Sequence, residues 1–174
     1  MAVYNGKLYV GTTRGDATGI GTAEVYRYEG NAGNWTLVTI TTPGRIGAAT
    51  TGGTVGVTAM TVYNGTLIVG TKRAGTTSSG AVFAYGGVPA AGAFTIISPV
   101  NGTTCTTATN TIEIASLTVY NGSLIATTRS SGATAGVCRY NSRGLMDPNA
   151  ALPATWTGMN TAAGTIRTGG TASI

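Results

Sequence analysis

The sequence predicts an all-β protein built from three equivalent four-stranded units. A strand-turn-strand segment occurs three times, beginning at Val3, Val62 and Val119. The 28 glycines against 5 prolines suit a chain with many tight turns. No window of useful length carries apolar residues at helical spacing. Recurrence at just under sixty residues makes the chain one domain, 1–174, of three repeats, approximately 1–59, 60–116 and 117–174.

The first copy of the segment reads Val3-Tyr4-Asn5-Gly6-Lys7-Leu8-Tyr9-Val10-Gly11-Thr12, and the others follow it from Val62 to Thr71 and from Val119 to Thr128. Asn-Gly supplies the two positive-φ residues of a type I′ turn, and the β-branched and aromatic residues on either side are the strands that such a turn joins. The first strand therefore ends at Tyr4, Tyr63 or Tyr120, as in 58–63 and 114–120. The second leaves the turn, as in 7–13. A loop rich in Gly, Thr and Ser leads to a third strand over 24–28, 81–85 and 136–140. An aromatic residue, Trp35, Phe94 or Trp156, opens the fourth.

The second strand is apolar on both faces: Leu67 and Val69 point one way, Ile68 and Gly70 the other. Sheets covered on both sides produce this pattern. A radial stack of four-stranded blades does so because each blade lies between two neighbours, so each repeat reads as one blade of a β-propeller. A β-trefoil, also three four-stranded repeats, is the alternative.

The succession Val-Tyr-Asn-Gly-x-Leu-x-Val-Gly-Thr, then Val-Tyr-x-Tyr, then Trp-Thr-Leu resembles the blades of kelch-like and lectin-like β-propellers, and is similar to repeats of phage tail-fibre and other virion proteins. The resemblance covers nearly the whole chain. It departs from the kelch pattern in lacking a Gly-Gly doublet in the expected place of every blade. It departs from fucose-binding propeller lectins in that Arg27 and Arg139 are matched by Ala84. It implies a structural or receptor-binding module of a virion or extracellular fibre. A soluble propeller lectin and a glycan-acting hydrolase are the alternatives.

Thr171-Ala172-Ser173-Ile174 aligns with Ile114-Ala115-Ser116-Leu117, so the three repeats are cut inside a first strand. Three blades do not close a ring of four to eight. Completion by a second chain or by a longer parent is expected, hence a homo-oligomer or part of a larger assembly.

Charged residues make up 9% of the chain, well below the usual quarter, as often happens in extracellular or virion β proteins. The net charge of +5 admits an anionic glycan or cell surface as partner. No Lys/Arg run or aromatic-basic motif points to nucleic acid. In a propeller, the connections after the second and fourth strands share one face, and that face collects Arg14, Arg45, Lys72, Arg73, Arg129 and Arg167. These six are the candidate surface-binding residues, with solvated loop-end charge as the structural explanation. Trp35 and Trp156 are the candidate sugar-stacking rings, although packing between blades is the stronger demand on an aromatic at a repeated position.

There is no histidine, and the five acids, Asp16, Glu24, Glu29, Glu113 and Asp147, fall at unrelated repeat positions, so neither an acid/base pair nor a metal site is expected. No catalytic residue and no cofactor is assigned. Cys105 and Cys138 read as two buried apolar residues that pair only if the fold brings them together. No transmembrane stretch or signal peptide is recognised, which gives a virion or extracellular expectation without membrane insertion.

Overall fold

The computed structural model describes residues 1–13, 23–39, 46, 54–73, 80–87, 93–98, 111–130, 135–141 and 155–159. Among them there are twelve strands and no helix. The first repeat contributes β1 (Ala2–Tyr4), β2 (Lys7–Gly11), β3 (Val25–Tyr28) and β4 (Trp35–Leu37). The second contributes β5 (Thr54–Tyr63), β6 (Thr66–Arg73), β7 (Val82–Tyr85) and β8 (Phe94–Ile96). The third contributes β9 (Thr111–Tyr120), β10 (Ser123–Ser130), β11 (Ala135–Asn141) and β12 (Thr155–Gly158). The aligned segment 171–174 lies outside the described residues.

Every repeat is an antiparallel meander of its four consecutive strands. The hairpin between its first two strands is the type I′ turn that Asn-Gly encodes. Asn5, Asn64 and Asn121 sit at φ of 49°, 47° and 47°, and the glycines that follow at 70°, 72° and 69°. The first strands begin several residues earlier than their alternation suggests. The ladder of β5 slips between Thr54 and Gly56 and between Val57 and Ala59, and that of β9 is irregular in the same stretch. Such bulges break the period of two by which a strand is recognised.

The repeats are stitched together by one recurring contact. Thr13, just past β2, bridges Gly56 in β5. One repeat later Lys72 of β6 pairs with Glu113 of β9. Through that pair the second and third repeats form a single curled antiparallel path, β12-β11-β10-β9-β6-β7-β8, with β5 beside β6; the first repeat is a separate four-stranded sheet.

Two cores fill the spaces between repeats. The first joins Tyr4, Tyr9, Val25, Val38 and Ile46 to Leu67, Val69, Phe83, Tyr85 and Phe94. The second joins Tyr63, Ile68, Val82, Ala84 and Ile97 to Ile114, Leu124, Ala126, Cys138, Tyr140 and Trp156. Along β6 the side chains alternate between them, Leu67 and Val69 into the first and Ile68 into the second. This is the doubly covered strand that its composition predicts. Cys138 is buried in the second core as expected but is disulfide-bonded, which corrects the reading of two unpaired thiols. The chain has one other cysteine, Cys105, outside the described residues.

Candidate functional site

The basic candidates that the structure describes meet where β6, β9 and β10 end together. Lys72 and Arg73 close β6, and Arg129 stands near the end of β10. The register places Glu113 of β9 opposite Lys72 on one side and Arg129 on the other. Arg129 Nε donates to Glu113 Oε2 at 3.1 Å. Arg73 pairs in register with Thr54 at the start of β5, and burial lowers its pKa from the ordinary guanidinium value. Three cationic side chains thus share one end of the sheet with one carboxylate.

Gly80 lets the backbone close up beside that group. A Cβ on Gly80 would stand 2.7 Å from the Thr71 carbonyl oxygen and 2.9 Å from the Glu113 backbone, and its N–H donates to the Thr111 carbonyl at 2.9 Å. The segment entering β7 is thereby held against both β6 and β9. The cluster stands on three paired strands rather than on a loop, which suits a surface that must present charge in a set pattern. Arg14, Arg45 and Arg167 lie outside the described residues.

The two tryptophans separate. Trp156 is buried, and its indole N–H donates to the Ile97 carbonyl at 2.9 Å, so the ring serves the core between the second and third repeats. Phe94 is buried at the equivalent place. Trp35 is exposed and lies against Tyr28, ring centroids 5.0 Å apart at 45°.

A second ionic cluster escaped the sequence reading. Glu29 accepts from Lys7 and, at 2.6 Å, from Arg27 Nε. Those bonds, the one from Lys7 foremost and another from Thr36, lower the carboxyl pKa from 4.5 to about 2. The signal was present in the spacing, since Arg27 and Glu29 two apart along an extended chain share a face. The other described carboxylates are also engaged. Glu24 accepts from Tyr26 Oη at 2.6 Å, raising the phenol's pKa, and Glu113 holds Arg129. Among the described residues no group of three or more His, Cys, Asp or Glu is drawn together. Asp16 and Asp147 lie outside those residues.

No protein-family model matches the sequence, and no curated protein matches it.

Proposed function

We propose that the chain is a non-enzymatic β-propeller module that contacts an anionic polymer or surface through the end of the sheet where Lys72 and Arg129 flank Glu113 and Arg73 closes β6. The observation that carries the reading is that cluster: two cations in register on either side of one carboxylate, with a third, Arg73, at the same end of β6. Its excess positive charge favours a polyanion, such as an acidic glycan, over a neutral ligand. Consecutive four-stranded meanders with a core on each side of the middle one favour the propeller over the trefoil. A role in a virion or extracellular fibre agrees with the charge-poor composition and with a disulfide at Cys138, which points to an oxidising compartment.

Binding to an immobilised sulfated polysaccharide tests the reading. Retention should fall steeply with salt, since exposed charges are screened over about 10 Å at 0.1 M. It should also fall in the Lys72→Gln/Arg73→Gln variant and, with less disturbance of half-buried groups, in Arg129→Gln. Retention that survives both salt and Arg129→Gln, in protein with an unchanged melting temperature, would remove the basic end as the contact.

The lectin alternative has its own observation in Trp35, the exposed one of the three equivalent aromatics. It calls for one sugar site at the first repeat rather than three equivalent ones.

A further inference from the structure

Each boundary between repeats is closed by the same three aromatic residues. The tyrosine before the Asn-Gly turn reaches into the next repeat, where it meets the last tyrosine of the third strand, itself stacked on the aromatic that opens the fourth. At the first boundary Tyr4 meets Tyr85 at 6.2 Å and 75°, and Tyr85 meets Phe94 at 5.1 Å. At the second, Tyr63 meets Tyr140 at 6.3 Å and 86°, and Tyr140 meets Trp156 at 5.1 Å. These edge-on tyrosine pairs are favourable beyond the area they bury.

The two outer faces each carry the unmatched half of that contact. On the first repeat Tyr28 and Trp35 stack at 5.0 Å, as their equivalents do, with no tyrosine against them among the described residues. Trp35 is 42% exposed, whereas Phe94 and Trp156 are 7% and 4% exposed. On the third repeat Tyr120 is 66% exposed, whereas Tyr4 and Tyr63 are 9% and 2% exposed. One end of the chain therefore offers the inserting tyrosine and the other offers the stacked pair that receives it.

We propose that copies of this chain associate head to tail, Tyr120 of one copy docking on Tyr28 and Trp35 of the next. The interface continues, between chains, the contact that already joins repeats within the chain. Such a heterologous contact closes into a ring or extends into a filament, according to the angle between copies. One difference marks the junction. Where Gly11 and Gly70 allow Val57 and Ile114 to approach, the third repeat has Thr127. The aromatic contact sits at the Asn-Gly end of the strands, four residues from that position and so roughly 13 Å away at about 3.3 Å per residue, and does not depend on the glycine. The association is independent of the proposed polyanion contact and stands if that contact fails.

Sedimentation velocity of the 174-residue chain and of Tyr120→Ala and Trp35→Ala tests it. The unaltered chain should associate, and each substitution should weaken association by at least about 30-fold, as for a central aromatic of an interface. Both side chains are exposed, so both variants should keep the far-ultraviolet circular dichroism of the parent and, at a concentration where the parent is dissociated, its melting temperature. A mixture of the two variants should recover association that neither has alone, because a mixed pair keeps one junction with both partners intact. A monodisperse monomer at high micromolar concentration would overturn the proposal. So would an oligomer indifferent to Trp35→Ala, or a mixture that stays dissociated.

Discussion

Gly70 lies directly under Ile114: a Cβ on Gly70 would stand 2.7 Å from Ile114 Cγ2 and 2.9 Å from Ile114 Cβ. One repeat earlier Gly11 lies under Val57 in the same way, its imagined Cβ 2.3 Å from Val57 Cγ1. The glycine of the second strand is therefore a place where a neighbouring repeat's first strand approaches too closely for a side chain. Both partners are β-branched and stiff at χ1, so neither can swing aside. Gly70→Ala should cost about 1 to 3 kcal/mol by overpacking, read from denaturant unfolding. Ile114→Ala in the same chain should make the combined loss smaller than the sum of the two single losses. Simple additivity would mean that the two residues do not touch.

Leu67 and Leu8 occupy the same repeat position with different surroundings. Leu67 is fully buried against the first repeat, whereas Leu8 faces outward from it and is only half-buried. Leu67→Ala should cost about 2 to 5 kcal/mol, as at other buried leucines. Leu8→Ala should cost clearly less under the conditions that leave the isolated chain dissociated. Equal losses in denaturant would mean that the outer face of the first repeat is as well covered as the inner one.

The strands and their turns were legible because each rests on local chemistry repeated three times. Asn5-Gly6 and its two copies encode the turn unaided, and the doubly apolar β6 reports that it is covered on both sides. The early starts of β5 and β9 were not legible, since bulges beside Gly56 and near Glu113 interrupt alternation. At the candidate site the sequence supplied the residue types but not their partners. The pairing of Glu113 with Arg129 depends on a bulged register within the third repeat, and its position beside Lys72 on a register between repeats, neither of which a local pattern records. Trp35 and Trp156 look equivalent in the sequence and differ in the structure because only Trp156 has another repeat packed against it. The bonding of Cys138 was hidden for a related reason: its partner must come from a segment distant in sequence.

The pair of cations on Glu29 should give stability an acid-sensitive component. Its folded pKa of about 2 lies below the ordinary 4.5, so the contribution is complete above about pH 4.5 and is lost as pH falls toward 2. The loss follows the Glu29 carboxylate. Melting temperature measured across this range should fall in the parent and fall less in Glu29→Gln. The difference should shrink at high salt, because a surface ion pair is readily screened. An identical acid profile in the two proteins would assign the sensitivity to other carboxylates.

Tyr85 gives the opposite pH dependence and a substitution that should improve the fold. Its ring lies among Tyr4, Tyr9 and Phe94, at centroid distances of 6.2, 5.9 and 5.1 Å, but among the described residues its buried hydroxyl has no hydrogen-bond partner. Burial, chiefly, pushes its pKa from 10 up to about 12, with the neighbouring Tyr9 and Tyr4 adding to it. The unfolded chain loses the proton first, so the stabilising contribution is complete below about pH 10 and is lost as pH rises toward 12. An unpartnered buried hydroxyl costs about 1 to 3 kcal/mol relative to one that is bonded or removed. Tyr85→Phe keeps the ring contacts and deletes that cost. It should raise the denaturation midpoint by an amount worth about 1 kcal/mol at neutral pH, and the gain should widen above pH 10, where the tyrosine alone is penalised. A loss of stability at neutral pH would show that the hydroxyl holds a bond that the ring cannot replace.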